Sequence, residues 1–139
     1  TSTVQANTSA GISIIEWTGS GANATVGHSL GVVPKAIWIK NFSINDQGEC
    51  FTGGTTFVAD PETDSAEFAS NFGDDATAWN DTAHTSTLIN LGSQASANGS
   101  SGSMVAVAFA EDQGFSKFVF YSGTGNAQGT KVYPYLIHI

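Results

Sequence analysis

The rhythm of the apolar residues constrains this chain most. They fall in short runs with a period close to two, each cut off by glycine, asparagine or proline. Ile12-Ser13-Ile14-Ile15-Glu16-Trp17 stops at Thr18-Gly19-Ser20-Gly21. Residues 36–40 follow Pro34 and stop at Asn41, and residues 88–91 precede Gly92. A period of two sets successive side chains on opposite faces of an extended strand, whereas a helix needs apolar residues three and four apart over a longer window. No window sustains such a helical stripe.

Further strands are predicted at 49–52 and 55–59, on either side of the hairpin signal Gly53-Gly54, and at 104–111, 115–122 and 132–139. Residues 66–72 fit either a helical turn or a short strand. In 104–111, Met104, Ala106, Ala108 and Ala110 share one face, and Val105, Val107 and Phe109 the other. A face of small alanines predicts a central strand approached closely by another layer or a bulky ring. Residues 60–81 are acidic and read as long connections, and the Ser/Gly/Asn-rich residues 93–103 as a flexible loop. The chain of 139 residues suits one domain. We expect a single all-β module over 1–139, an antiparallel β-sandwich of jelly-roll or concanavalin-like type. Related strand–turn–strand units lie near 11–40 and 114–139, where Pro34-Lys35-Ala36-Ile37-Trp38-Ile39 is echoed by Pro134-Tyr135-Leu136-Ile137-His138-Ile139.

Charge excludes some functions. The net charge is −8, arginine is absent, and the four lysines, Lys35, Lys40, Lys117 and Lys131, are scattered. Phosphate neutralisation needs clustered cations, so no nucleic-acid partner is expected, and an anionic membrane surface is disfavoured for the same reason. No stretch approaches the roughly 20 apolar residues of a membrane-spanning helix, so no membrane insertion is expected. The first residues lack the basic and apolar regions of a signal peptide, and the chain starts at Thr1, as expected of a piece of a longer protein. A lone cysteine, Cys50, rules out an intramolecular disulfide and reads as a small buried strand residue.

Residues that carry chemistry are sparse. His28, His84 and His138 lack metal-ligand spacing, and a histidine in a turn such as Val26-Gly27-His28-Ser29-Leu30 ordinarily bonds to backbone. Gly19-Ser20-Gly21 and Gly123-Thr124-Gly125 lack the lysine and helix of a phosphate loop, and no serine sits in a nucleophile elbow. No catalytic residues and no enzyme activity are therefore expected. Asp60, Glu62 and Asp64 alternate on one segment, which suits either a solvated acidic loop or oxygen ligation of Ca²⁺, the one cofactor the sequence suggests. Trp79-Asn80-Asp81 joins a ring to an amide and a carboxylate. That is the make-up of a glycan platform, although Trp79 suits a buried or interface anchor better. Trp17 and Trp38, being in strands, are expected in the core. Five Asn-x-Ser/Thr triplets, at Asn7, Asn23, Asn41, Asn80 and Asn98, are ascribed to chance in a chain so rich in Ser and Thr.

Several phrases occur together in order: Ser9-Ala10-Gly11-Ile12-Ser13-Ile14, Trp17-Thr18-Gly19-Ser20-Gly21, Val26-Gly27-His28-Ser29-Leu30-Gly31-Val32-Val33-Pro34-Lys35, Trp79-Asn80-Asp81-Thr82-Ala83, Ala108-Phe109-Ala110-Glu111 and Gly114-Phe115-Ser116-Lys117-Phe118. In these the chain resembles a repeat domain of large virion proteins, tail-fibre proteins among them, of marine tailed bacteriophages. The chain departs from it by ending at Ile139, where that domain usually continues, and by carrying His84 where proline is common. The resemblance implies a location on the virion surface and no enzymatic activity. It implies as partners other virion proteins and a host-surface glycan or protein, with homo-oligomers that are trimeric if this is a fibre tip. Two alternatives stay open: a carbohydrate-binding, lectin-like module using Trp79, Asn80 and Asp81, and a capsid decoration protein.

Overall fold

The alternation becomes strands in a computed structural model that describes residues 1–45, 49–52, 65–67, 76–113 and 115–118. In chain order the elements are β1 (Ser2–Asn7), a 3-10 turn at Thr8–Ala10, β2 (Ile12–Thr18), β3 (Ala24–Gly27), β4 (Ala36–Asn41), β5 (Glu49–Thr52), β6 (Ser65–Glu67), α1 (Ala76–Trp79), β7 (Leu88–Leu91), α2 (Ala95–Asn98) and β8 (Ser103–Phe109). The two helices are single turns, and the fold is all-β, as expected. The larger sheet runs β1-β2-β8-β4-β5-β6, the smaller is β3-β7, and each pairing is antiparallel.

β8 lies between β2 and β4, and its register explains its composition. Ala106 pairs with Ile15 and Ile39, Ala108 with Ser13 and Ile37, and Met104 with Trp17 and Asn41. These rows form the inner face and are buried. Ala106 sits between isoleucines on both flanking strands and Ala108 beside Ile37, so the small side chains leave room for further apolar groups to pack over them. The smaller sheet and the two helical turns contribute residues to the same interior. Val26, Ile89 and Leu91, Trp79 of α1 and Ala97 of α2 belong to the same apolar cluster as Ile15, Trp17, Ile37 and Ile39.

Several expectations need correction. Trp38 is 45% exposed and is not in the core. Ile37 and Ile39 point inward, so the intervening residue must face out, where its ring meets Phe109 edge-on at 4.9 Å and 63°. β8 ends two residues earlier than expected, although the Ala110 N–H still donates to the Gly11 carbonyl and the Lys35 N–H to that of Phe109, both at 2.7 Å. The expected strand at 115–122 begins as a turn with an isolated bridge between Asp112 and Ser116. β1 and β3 carry too few apolar residues to have been signalled. Residues 93–103 hold a helical turn, α2, in place of a uniformly flexible loop, and Ser96, Ala97 and Asn98 on it are buried. Of 66–72, residues 66 and 67 belong to β6 and the remainder lies outside the described residues. So do the expected strands at 55–59 and 132–139 and nearly all of the unit at 114–139.

Candidate functional site

The Trp79-Asn80-Asp81 triplet divides between core and surface. α1 carries the Trp79 ring inward, where it is 2% exposed and meets the His84 ring edge-on at 5.3 Å. A ring so enclosed has no open face to stack on a sugar, and its place is that of a buried anchor. The chain then reverses through Asn80 and Asp81, at φ of 59° and 44°, the left-handed region that asparagine and aspartate tolerate better than most. Asn80 accepts a hydrogen bond from the Asn23 side-chain amide and, through its carbonyl, one from the Thr82 hydroxyl at 2.7 Å. A small polar patch of Asn23, Asn80 and the exposed Asp81 results, with the indole beneath it in the interior. The candidate Ca²⁺ ligands Asp60, Glu62 and Asp64 lie outside the described residues, as does His138. Among the described residues no three His, Cys, Asp or Glu side chains are grouped to hold a metal ion, and no helix is long and apolar enough to cross a membrane.

His28 and His84 are both buried and both serve the backbone. The Leu30 N–H donates to Nδ1 of His28 at 3.2 Å, which places the His28 proton on Nε2, 3.1 Å from the Thr85 carbonyl it donates to. His84 Nδ1 accepts the Asn90 N–H at 3.1 Å, and the Asn90 amide donates to the Ala83 carbonyl at 2.6 Å. Burial, and next the neighbouring His28, lower the pKa of His84 from 6.5 to about 3, so it is neutral near pH 7. Both rings are thus brackets for the turns flanking β3 and β7.

Asn98, which the sequence marks only as a chance triplet, makes four side-chain hydrogen bonds. Its Oδ1 accepts from the Trp17 indole N–H and the Ser20 N–H, both at 3.1 Å. Its amide donates to the Ser20 hydroxyl and the Ala22 carbonyl, both at 2.8 Å. All four hydrogen-bonding positions of the amide are used. The turn after β2 is thereby locked onto α2, and Gly19 fits there because any Cβ would collide with the Gly99 carbonyl. Asn41 holds the other side of α2, donating to the Ala95 carbonyl at 2.8 Å and accepting from the Ser43 N–H at 2.9 Å. Apart from Ser43, two residues from Asn41, these partners are 54 to 81 residues distant in the chain, so no local pattern marks them.

The described polar side chains of this region hydrogen-bond to one another and to the backbone across elements distant in the chain. No curated protein and no solved structure matches the chain. A family model matches residues 1–135, and the chain belongs to that family, a domain of unknown function designated DUF7483.

Proposed function

We propose that the chain is a non-enzymatic structural module of a bacteriophage particle, a tail-fibre or appendage domain that contacts the host surface or joins neighbouring virion proteins. The observation that carries this reading is the ordered series of motifs, from Ser9-Ala10-Gly11 to Lys117-Phe118, resembling a repeat domain of virion proteins. Two structural features support it. The side chains a hydrolase would use, His28 and His84, are buried and committed to backbone N–H groups. Two sheets that share one apolar cluster suit a β-sandwich of the jelly-roll kind, an architecture that presents surfaces.

The test is mass spectrometry of purified particles of the encoding phage, combined with gold labelling by an antibody to the chain. Peptides present in many copies per particle, with label on the tail or its appendages, are expected. Label on the head would favour capsid decoration instead. Peptides confined to the lysate and missing from particles would overturn the proposal. A glycan array separates attachment to host sugars from a purely assembling role.

A further inference from the structure

Asn98-Gly99 is the one Asn-Gly pair in the chain. Asparagine followed by glycine is the sequence most open to attack by the backbone on the side chain. Glycine has no Cβ to keep its nitrogen away from the preceding amide carbon, and asparagine is among the thermolabile residue types. The fold nevertheless requires both members of the pair. Asn98 is buried and commits its whole side-chain amide to Trp17, Ser20 and Ala22. At Gly99 a Cβ would lie 2.6 Å from the Ala95 carbonyl oxygen and 2.8 Å from the Asn41 amide nitrogen, so no larger residue fits.

We propose that Asn98 is a deamidation site that folding keeps closed and unfolding opens. In the reaction the Gly99 nitrogen gives up its proton and bonds to Cγ of Asn98. The side-chain –NH2 takes a proton from solvent and leaves as ammonia. Water then adds across one or the other C–N bond of the cyclic imide, giving aspartate or isoaspartate. The folded state obstructs the first step. The Gly99 N–H donates to the Ala95 carbonyl at 3.1 Å, and the carbonyl of the same peptide, that of Asn98, accepts from the Gly21 N–H at 2.8 Å. Held at both ends, this peptide cannot swing its nitrogen towards Cγ. Four hydrogen bonds fix the amide itself, and burial keeps out the solvent that would carry the proton away. Reaction requires α2 to part from the turn after β2, so its rate follows the population of opened molecules. The products do not fit the place they leave. Aspartate can still accept from Trp17 and Ser20, but it has no hydrogen for the Ala22 carbonyl and sets a charge against that oxygen. Isoaspartate lengthens the backbone by one carbon where Gly99 is already closely confined. An opening that ends in reaction is therefore not reversed, and it limits the lifetime of the chain under unfolding stress. The inference stands apart from the virion reading, and its failure would leave that reading intact.

Incubation of the full chain at mildly alkaline pH, in buffer and in concentrated guanidinium chloride, tests it. Peptide mapping by mass spectrometry follows conversion of the amide to the acid at residue 98. In denaturant Asn98 is expected to convert ahead of every other asparagine. In buffer the same residue converts more slowly by about a hundredfold or more. Asn98→Gln removes the fast phase of ammonia release in guanidinium chloride, where the folding of the variant does not enter. Converted chains, separated by ion exchange and returned to buffer, unfold at lower urea than unconverted ones. Asn98→Asp, made directly, reproduces the share of this loss that belongs to the aspartate product. Equal rates at residue 98 in buffer and in denaturant, a fast phase that survives Asn98→Gln, or an unchanged urea midpoint in converted chains would each overturn the inference.

Discussion

Acidification from pH 7.5 to pH 5 is a perturbation whose cost is set by one described side chain, His84. In the unfolded chain its imidazole titrates near 6.5, and in the folded state burial and the His28 ring hold it at about 3. Between those values the unfolded chain binds a proton that the folded chain refuses. Stability is thus fully present above pH 6.5 and falls as the pH drops towards 3. The linkage gives a loss of about 2 kcal/mol at pH 5, rising towards roughly 5 kcal/mol at the acid limit. At pH 5 the folded-state value hardly matters, because the folded ring is essentially neutral there and the unfolded ring essentially charged. The structural cost has a named origin: a proton on Nδ1 displaces the Asn90 N–H in a site shared with Trp79. Urea unfolding followed by tryptophan fluorescence, at several pH values in this window, measures the loss. His84→Asn keeps an acceptor for the Asn90 N–H and removes the titration, so the difference in pH slope between wild type and variant isolates the residue. Equal slopes, or a wild-type stability that is flat between pH 7.5 and 5, would refute the reasoning.

Other substitutions sort the polar network from the surface. Asn98→Ala removes four side-chain hydrogen bonds and leaves the Trp17 indole N–H without its acceptor, and should cost about 3 kcal/mol or more in urea unfolding. Trp79→Ala should cost about 3–5 kcal/mol through the cavity it leaves, whereas Asp81→Asn two positions on should stay within about 0.5 kcal/mol by the same assay. Ser13 is buried on the inner face beside Ala108, and its hydroxyl finds no hydrogen-bond partner. Ser13→Ala should therefore raise the thermal midpoint, with a gain of about 1 kcal/mol.

Strands whose burial follows their own alternation were legible in the sequence. β2, β4, β7 and β8 fall where the apolar period places them, and the small face of β8 is indeed the covered one. β1 was hidden because an edge strand owes the core little: of Ser2–Asn7, Val4 is the residue that packs against it. β3 is four residues long with one buried apolar side chain, Val26, and resembles turn sequence. Trp38 shows two sequence signals in conflict. Its type argued for burial and its parity between Ile37 and Ile39 for exposure. Parity wins, because reversing one residue of a paired strand would turn both isoleucines outward. For the site, the turn histidines were readable as backbone partners, since an imidazole in a tight turn meets N–H groups first. The role of Asn98 was not, because its partners come from the end of β2 and the turn after it, 76 to 81 residues earlier in the chain.

The residues that looked like ligand chemistry turned inward for a reason rooted in composition. Loops that close over a core must satisfy their backbone groups. Lysine and arginine number only four here, so asparagine, serine, threonine and histidine must supply the donors and acceptors. These are also the residue types that line sugar-binding sites, so composition cannot separate the two uses. Burial separates them. Trp79, His28, His84, Asn41 and Asn98 are enclosed and belong to the architecture. Trp38 packs edge-on against Phe109 on the outer face of the larger sheet, and Ile14 of the same cross-strand row is 44% exposed.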